Sequence, residues 1–307
     1  MPSREGDMLA VRYHRYGGAE ELRLDDVPEP HAGPGEVRIR VAAAGVNPID
    51  YKLREGMMAG GASLESPTIT GLEAAGVVDE VGDGVTGTAV GDAVFGFTAG
   101  GAAAEYAVLS HWAHQPDNVS AVAAGGFSLV SETAARVLRE LDVKAGDVIL
   151  VHGASGGVGQ AALQLAREAG VTVIGTAGEA NHDLVRSLGA TPTTYSDGLP
   201  ARVAELAADG VTGVFDAAGT SLDELLEIAG DPARIVTIAN FAAAGRGVRV
   251  SGGGARAYDV LDEVADLASR GLFAITVADT FPLADAASAH TLAATGHAGG
   301  KVVLTVD

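Results

Sequence analysis

The sequence predicts an α/β fold in two parts, an all-β barrel-like unit with a doubly wound parallel sheet inserted into it. Three observations carry that expectation. Residues 1–118 read as short strands between Gly and Pro turns, residues 119–272 alternate buried strands with helices, and residues 273–307 return to the β pattern. The 307 residues also exceed what one hydrophobic core usually organises.

In the first part, EVRIRVAAAGV (36–46) is a strand leaving the Gly33-Pro34-Gly35 turn. Residues 74–85 alternate and then turn at Asp83-Gly84, and 90–97 and 103–109 supply two more strands. From 120 to 142 the periodicity is helical. A buried strand at 148–152 follows, then a glycine turn, a helix over about 157–169, a strand at 171–176 and a helix at 179–188. GVFDAAG (213–219) and RIVTIAN (234–240) are further buried strands, and GVRVSGGG (247–254) is a candidate sheet edge. The last part holds a strand within 273–283, a helix around 285–295 and a terminal strand, GKVVLTVD.

Composition narrows the function by exclusion. The formal charge of -20 repels phosphate backbones and anionic membranes, so neither nucleic acid nor membrane is an expected partner. With no cysteine there is no disulfide, iron–sulfur cluster, cysteine nucleophile or cysteine-bound zinc. The first residues lack the apolar core of a signal peptide, and no stretch is long and apolar enough to span a bilayer. The expected location is the cytoplasm.

The most specific signal is ILVHGASGGVGQAALQLA (149–166), a strand that runs into a glycine turn opening a helix. Ala154 stands where a G-x-G-x-x-G turn has its first glycine, and Ser155, Gly157 and Val158 fill the turn. Gly156 lets the backbone approach a pyrophosphate, and Gly159 lets the helix pack on the strand. The helix N-terminus adds free N–H groups and a positive dipole end. A dinucleotide site is expected.

Sites for NAD usually carry a carboxylate at the end of the second strand. Here that end is neutral, with Gly175, Thr176, Ala177 and Gly178. A 2′-phosphate is not repelled there, and Thr176, Asn181, His182 and Arg186 offer donors, so NADP(H) is the expected cofactor. Glu179, next after Gly178, is the competing ribose ligand. Ligands of doubly wound sheets bind at the carboxyl ends of the strands. Gly219, Ala239 and Asn240 should therefore edge the cofactor through their backbones, with Phe241 walling the substrate pocket.

VNPIDYKLREG (46–56), GLEAAGVVDEVGDGV (71–85), VGDAVFGF (90–97), AAEYAVL (103–109), the glycine turn with IGTAGEANHDLVRSLGA (174–190), and GGKVVLTV (299–306) together resemble the medium-chain dehydrogenase/reductase superfamily. Within it the chain is similar to the zinc-independent quinone oxidoreductase branch, which includes zeta-crystallin-like and enone reductases. The resemblance covers nearly the whole chain. It implies a GroES-like β domain (1–118 plus 273–307) with an inserted Rossmann domain (119–272), paired as a homodimer. It also implies hydride transfer from NADPH to a quinone or an α,β-unsaturated carbonyl compound. Two rival expectations are a non-catalytic NADPH-binding redox sensor or structural protein, and an enoyl reductase dedicated to one pathway.

The superfamily's zinc enzymes hold their catalytic metal at positions that fall on Asn47, Leu72 and Gly126 here, and none of these ligates zinc. His111 and His114, in a loop-like stretch, read as surface residues. No metal is expected, so the acceptor must already be electrophilic, and the enzyme only positions it and stabilises charge on its oxygen.

The resemblance places Asn47 near the nicotinamide ribose and makes Lys52 a donor to the ribose or the substrate oxygen. Asp50 would orient Lys52, and Tyr51 is a competing proton donor. Local pattern offers a plainer reading, in which Asp50 caps a helix beginning at Tyr51 and Lys52 is a solvated first-turn charge. The chain's 20 basic residues include only three lysines, Lys52, Lys144 and Lys301, which makes a lysine at this position informative. By the same resemblance Thr133 packs near the nicotinamide ring and Tyr195 lies against the adenosine phosphate. The family's usual GLT is here Ser131-Glu132-Thr133; Glu132 reads as a charge facing water, with a proton carrier as the alternative, and this departure is what keeps the non-catalytic expectation open.

Overall fold

The computed structural model describes residues 6–195, 197–252, 255–296 and 298–306. The chain divides into two units, Met1–Leu129 with Leu261–Asp307, and Val130–Val260. In the first unit the Asn118 amide donates to the carbonyls of Ala268 and Ser269 at 3.1 and 3.2 Å, and the Phe127 and Phe273 rings meet edge to face at 5.2 Å. These contacts tie residues on both sides of the inserted stretch into one body.

Strands Val37–Val46, Glu73–Val81, Ala93–Thr98 and Tyr106–His114 pair antiparallel in that order. Tyr106–His114 pairs again with Val37–Val46, which closes a barrel. Val37, Ile39, Val41, Ala74, Val78, Val94 and Leu109 fill its core. Lys301–Thr305 adds antiparallel to Val37–Val46, and Val277–Pro282 adds parallel to Lys301–Thr305. One sheet is thus built from both ends of the chain, and the second unit is an insertion between them, as the sequence pattern predicts. His111 and His114 lie on a strand rather than in a loop, and both are exposed.

The helical stretch 120–142 is two helices, Ala121–Ala124 and Ser128–Glu140. The break falls at Gly125-Gly126, where a Cβ on Gly125 would lie 2.9 Å from the Ala43 Cβ and one on Gly126 would lie 3.1 Å from the Lys301 side chain. Close approach to the barrel, not helix periodicity, decides this segment.

The second unit is a six-stranded sheet with every pairing parallel. Its order is Thr191–Thr193, Thr172–Thr176, Val148–His152, Gly213–Asp216, Ile235–Thr237, Arg249–Val250. The chain starts in the middle and winds outward both ways, so a switch point lies between Val148–His152 and Gly213–Asp216, where such sheets bind ligands. The candidate edge shrinks to Arg249–Val250, and its Gly253 and Gly254 lie outside the described residues. Among the described residues no helix is long and apolar enough to cross a membrane.

Candidate active site

The short helix Pro48–Arg54 carries Tyr51 and Lys52 and is fastened at both ends. Its N-cap is Asn47, not Asp50, and Pro48 opens the first turn with a preset φ. Asp50 caps from the third helical position, where its Oδ2 accepts from the Asn47 N–H at 2.7 Å. The Asn47 amide Nδ2 donates to Glu73 Oε1 at 2.8 Å, while its Oδ1 accepts from Lys301 Nζ. Lys301 Nζ also donates to Glu73 Oε1 at 2.8 Å, and the Leu129 N–H donates to Glu73 Oε2 at 2.8 Å. All four side chains are buried, Glu73 completely.

At the far end the Arg54 guanidinium, also buried, donates to the Gly17 carbonyl at 3.1 Å, to His290 Nδ1 at 3.1 Å and to Glu55 Oε1 at 2.8 Å. A guanidinium has no acceptor, so His290 accepts through Nδ1 and carries its proton on Nε2. Burial and the Arg54 charge push the His290 pKa down to about 4.

Asp50 behaves oppositely. Burial pushes its pKa up to about 7, against the Asn47 N–H and the Lys301 charge, and its Oδ1 has no hydrogen-bond partner. Asp50 lines a cavity of about 240 Å³ together with Tyr13, Leu53, Thr70, Leu72 and Thr98. The carboxylate that resemblance would use to orient Lys52 thus also serves the helix cap. Lys52 is half-buried, and burial pulls its pKa below the ordinary lysine value.

These two shifts predict a pH signature. Between pH about 6.5 and 4 the unfolded chain protonates His290 more than the fold does, so that term is lost as pH falls. Asp50 holds a proton in the fold that the unfolded chain gives up above its ordinary pKa, so that term is lost as pH rises toward about 7. The two slopes oppose each other over the same range. Thermal unfolding of Asp50→Asn should therefore fall off more steeply from pH 7 to pH 5 than the wild type, and an equal or shallower slope would contradict the assignment.

In the second unit a polar relay shapes the strand ends at the switch point. Thr176 Oγ1 accepts from the Gly153 N–H at 3.0 Å and pairs with His152 Nδ1 at 2.8 Å, and His152 Nε2 pairs with Thr220 Oγ1 at 3.0 Å. Desolvation lowers the His152 pKa, favouring the neutral ring. Asp216 Oδ1 accepts from the Gly219 N–H at 2.7 Å, and its Oδ2 accepts from the Thr237 hydroxyl at 2.7 Å. Thr237 Oγ1 in turn accepts from the Ala239 and Asn240 N–H groups at 3.2 and 3.0 Å. Those backbones point inward, so what Gly219, Ala239 and Asn240 present outward is not their N–H groups.

The glycine turn leads into the helix Gly157–Glu168, with Gly156 as N-cap. A Cβ on Gly159 would lie 2.7 Å from the Ala154 Cα and would also overlap the Gly153 carbonyl, whereas one on the exposed Gly156 would meet only that carbonyl, at 3.5 Å. Ala154 is buried and Ser155, Gly157 and Val158 are half-buried. An exposed glycine at a helix N-terminus with open space beside it suits a pyrophosphate.

The residues around the second strand end divide. Thr176 and Ala177 are buried, and the Thr176 hydroxyl faces His152 and Gly153, so it serves the turn. His182 Nε2 contacts the Ala177 carbonyl at 3.3 Å. Gly178 and Asn181 are half-buried, and Arg186 is exposed and paired with Asp183 at 2.6 Å. Tyr195 is exposed, with its hydroxyl 3.9 Å from where a Gly178 Cβ would stand.

Thr133 is buried on the helix Ser128–Glu140. Its neighbour Glu132 does not face water as expected. It is fully buried, accepting from Arg136 Nε at 2.8 Å, Arg256 Nη1 at 3.2 Å and the Ala257 N–H at 3.2 Å. Two guanidiniums compensate its charge, which makes burial possible. Sequence reasoning also missed Glu73, Lys301, Arg54 and His290. Only the scarcity of lysine pointed to Lys301.

Residues 33–128 match the alcohol dehydrogenase GroES-like domain family, and 188–304 match the zinc-binding dehydrogenase family. A crystal structure of an NAD-dependent alcohol dehydrogenase superposes with a TM-score of 0.85 at 30% identity over 98% of this chain and 100% of that one. The chain belongs to the medium-chain dehydrogenase/reductase superfamily. A second such relative, a mycobacterial protein complexed with NADPH, superposes at 0.79 with 30% identity over 97% and 99% of the two chains. Triphysaria versicolor has a chloroplastic quinone-oxidoreductase, QR1, that is 40% identical over 196 residues. That match spans 60% of this medium-chain dehydrogenase/reductase and 59% of the relative, so it reaches little more than half of the relative's length. Among the described residues no group of three or more His, Cys, Asp or Glu comes together to hold a metal ion.

Proposed function

We propose that the protein is an NADPH-dependent reductase of quinones or α,β-unsaturated carbonyl compounds that works without a metal. The observation that carries this reading is Lys52, an ammonium of lowered pKa on a helix pinned at both ends. The quinone-oxidoreductase relative and the relative complexed with NADPH support it. A bound dihydronicotinamide supplies the hydride. The glycine turn 153–159 holds the pyrophosphate, and the neutral strand end at Gly178 leaves room for a 2′-phosphate. Lys52 donates a hydrogen bond to the acceptor oxygen and then its proton, so that hydride and proton together complete the two-electron reduction. Tyr51 is the alternative donor.

Glu132 gives no reason to favour a non-catalytic protein, since its charge is internally compensated. Stopped-flow oxidation of NADPH and NADH with a panel of quinones, enals and simple ketones tests the proposal. NADPH should be consumed with quinones or enals, faster than NADH and equally well after treatment with a chelator. Absence of turnover with every activated acceptor, or strict preference for NADH, rejects it.

A further inference from the structure

We propose that Glu73 and Lys301 are positioning residues that lock the Asn47 side-chain amide in one orientation, and with it the start of the helix that presents Tyr51 and Lys52. The functional part of this proposal rests on the reductase reading above. A carboxamide has two orientations of almost equal shape that differ by exchange of oxygen and nitrogen. Glu73 Oε1 can only accept and the Lys301 ammonium can only donate. Asn47 meets the first with Nδ2 at 2.8 Å and the second with Oδ1. Exchange would set donor against ammonium and oxygen against carboxylate. The charges therefore select one orientation where shape alone would not.

The cluster is assembled from segments far apart in sequence. Glu73 comes from a barrel strand and Lys301 from the closing strand. The Leu129 N–H at the start of the helix Ser128–Glu140 holds the second oxygen of Glu73 at 2.8 Å. Gly126 leaves room for the Lys301 stem, since a Cβ there would lie 3.1 Å from the lysine Cγ and Cε. A buried ion pair is a poor stabiliser, because desolvation offsets most of the attraction, and an apolar pair of similar volume often stabilises as well or better. Lys301 and Glu73, 4% and 0% exposed, are therefore better explained by what they fix than by stability. In a chain that otherwise uses arginine almost throughout, a slim ammonium fits between Asn47, Glu73 and Gly126 where a planar guanidinium is broader.

The test compares Lys301→Met, which keeps the length and removes the charge, with Lys301→Arg. Hydrogen exchange of the Asn47 side-chain amide in nitrogen-15-labelled protein reports how firmly the amide is held, without catalysis. Lys301→Met should speed that exchange at least tenfold and lower kcat at least tenfold per folded molecule. It should also change the primary isotope effect with deuterated NADPH, and Lys301→Arg should recover part of each. Unchanged exchange and an unchanged isotope effect, with activity lost only in proportion to folded protein, would overturn the proposal. If Lys301→Met does not fold, Glu73→Gln is held to the same criteria. If the wild type reduces no acceptor, the reductase reading falls and the exchange measurement still decides whether the amide is locked. If the wild type is active and the Lys301→Met protein matches it, only the positioning role falls.

Discussion

Gly159→Ala is expected to destabilise the second unit by about 3 kcal/mol or more, the upper range for overpacking a tight contact. The added methyl would sit 2.7 Å from the Ala154 Cα and overlap the Gly153 carbonyl, and backbone atoms cannot swing aside as a side chain can. Gly156→Ala is the informative partner. Its methyl meets only the Gly153 carbonyl at 3.5 Å, an ordinary contact, and φ at this N-cap is -74°, which alanine adopts without strain. That variant should keep its melting temperature within a few degrees, yet lose at least about tenfold in NADPH affinity, or about 1.4 kcal/mol, because the methyl fills the space assigned to the pyrophosphate. Fluorescence titration beside thermal unfolding separates the two variants. Tight NADPH binding by Gly156→Ala would move the cofactor away from this turn.

Lys52→Met should cut kcat/KM by about 10²-fold, the lower range for removing a general acid, with little change in stability because the side chain is only half-buried. The sign of the pH effect follows from its lowered pKa. The ammonium is the donating form, so wild-type kcat/KM should decline as pH rises through a value below the ordinary lysine pKa, and Lys52→Met should lose that alkaline decline. A profile unchanged in the variant, with activity instead lost in Tyr51→Phe, would transfer the proton to Tyr51.

Much of the fold was legible because burial follows periodicity. The strands 148–152 and 171–176, with a glycine turn and a helix between them, fall almost where Val148–His152, Thr172–Thr176 and Gly157–Glu168 lie. Local rules failed where tertiary contacts overrode them. The helix from 120 breaks at Gly125-Gly126 because it must press against Ala43 and Lys301, both far from it along the chain. Glu132 looks like a surface charge from its neighbours in sequence; Arg136, one helical turn on, supplies one guanidinium, but the second comes from Arg256, 124 residues on.

By itself the sequence determined the two kinds of unit, the insertion of one into the other, and the turn suited to a phosphate, because each depends on residues close together in the chain. Only the tertiary structure decided what fixes the helix of Lys52. Asn47, Asp50 and Lys52 share one short segment, but Glu73, Leu129, His290 and Lys301, which hold that helix in place, lie elsewhere in the sequence. A hydrogen bond acts over about 3 Å of space, and separation along the chain gives no measure of that distance until the barrel has closed.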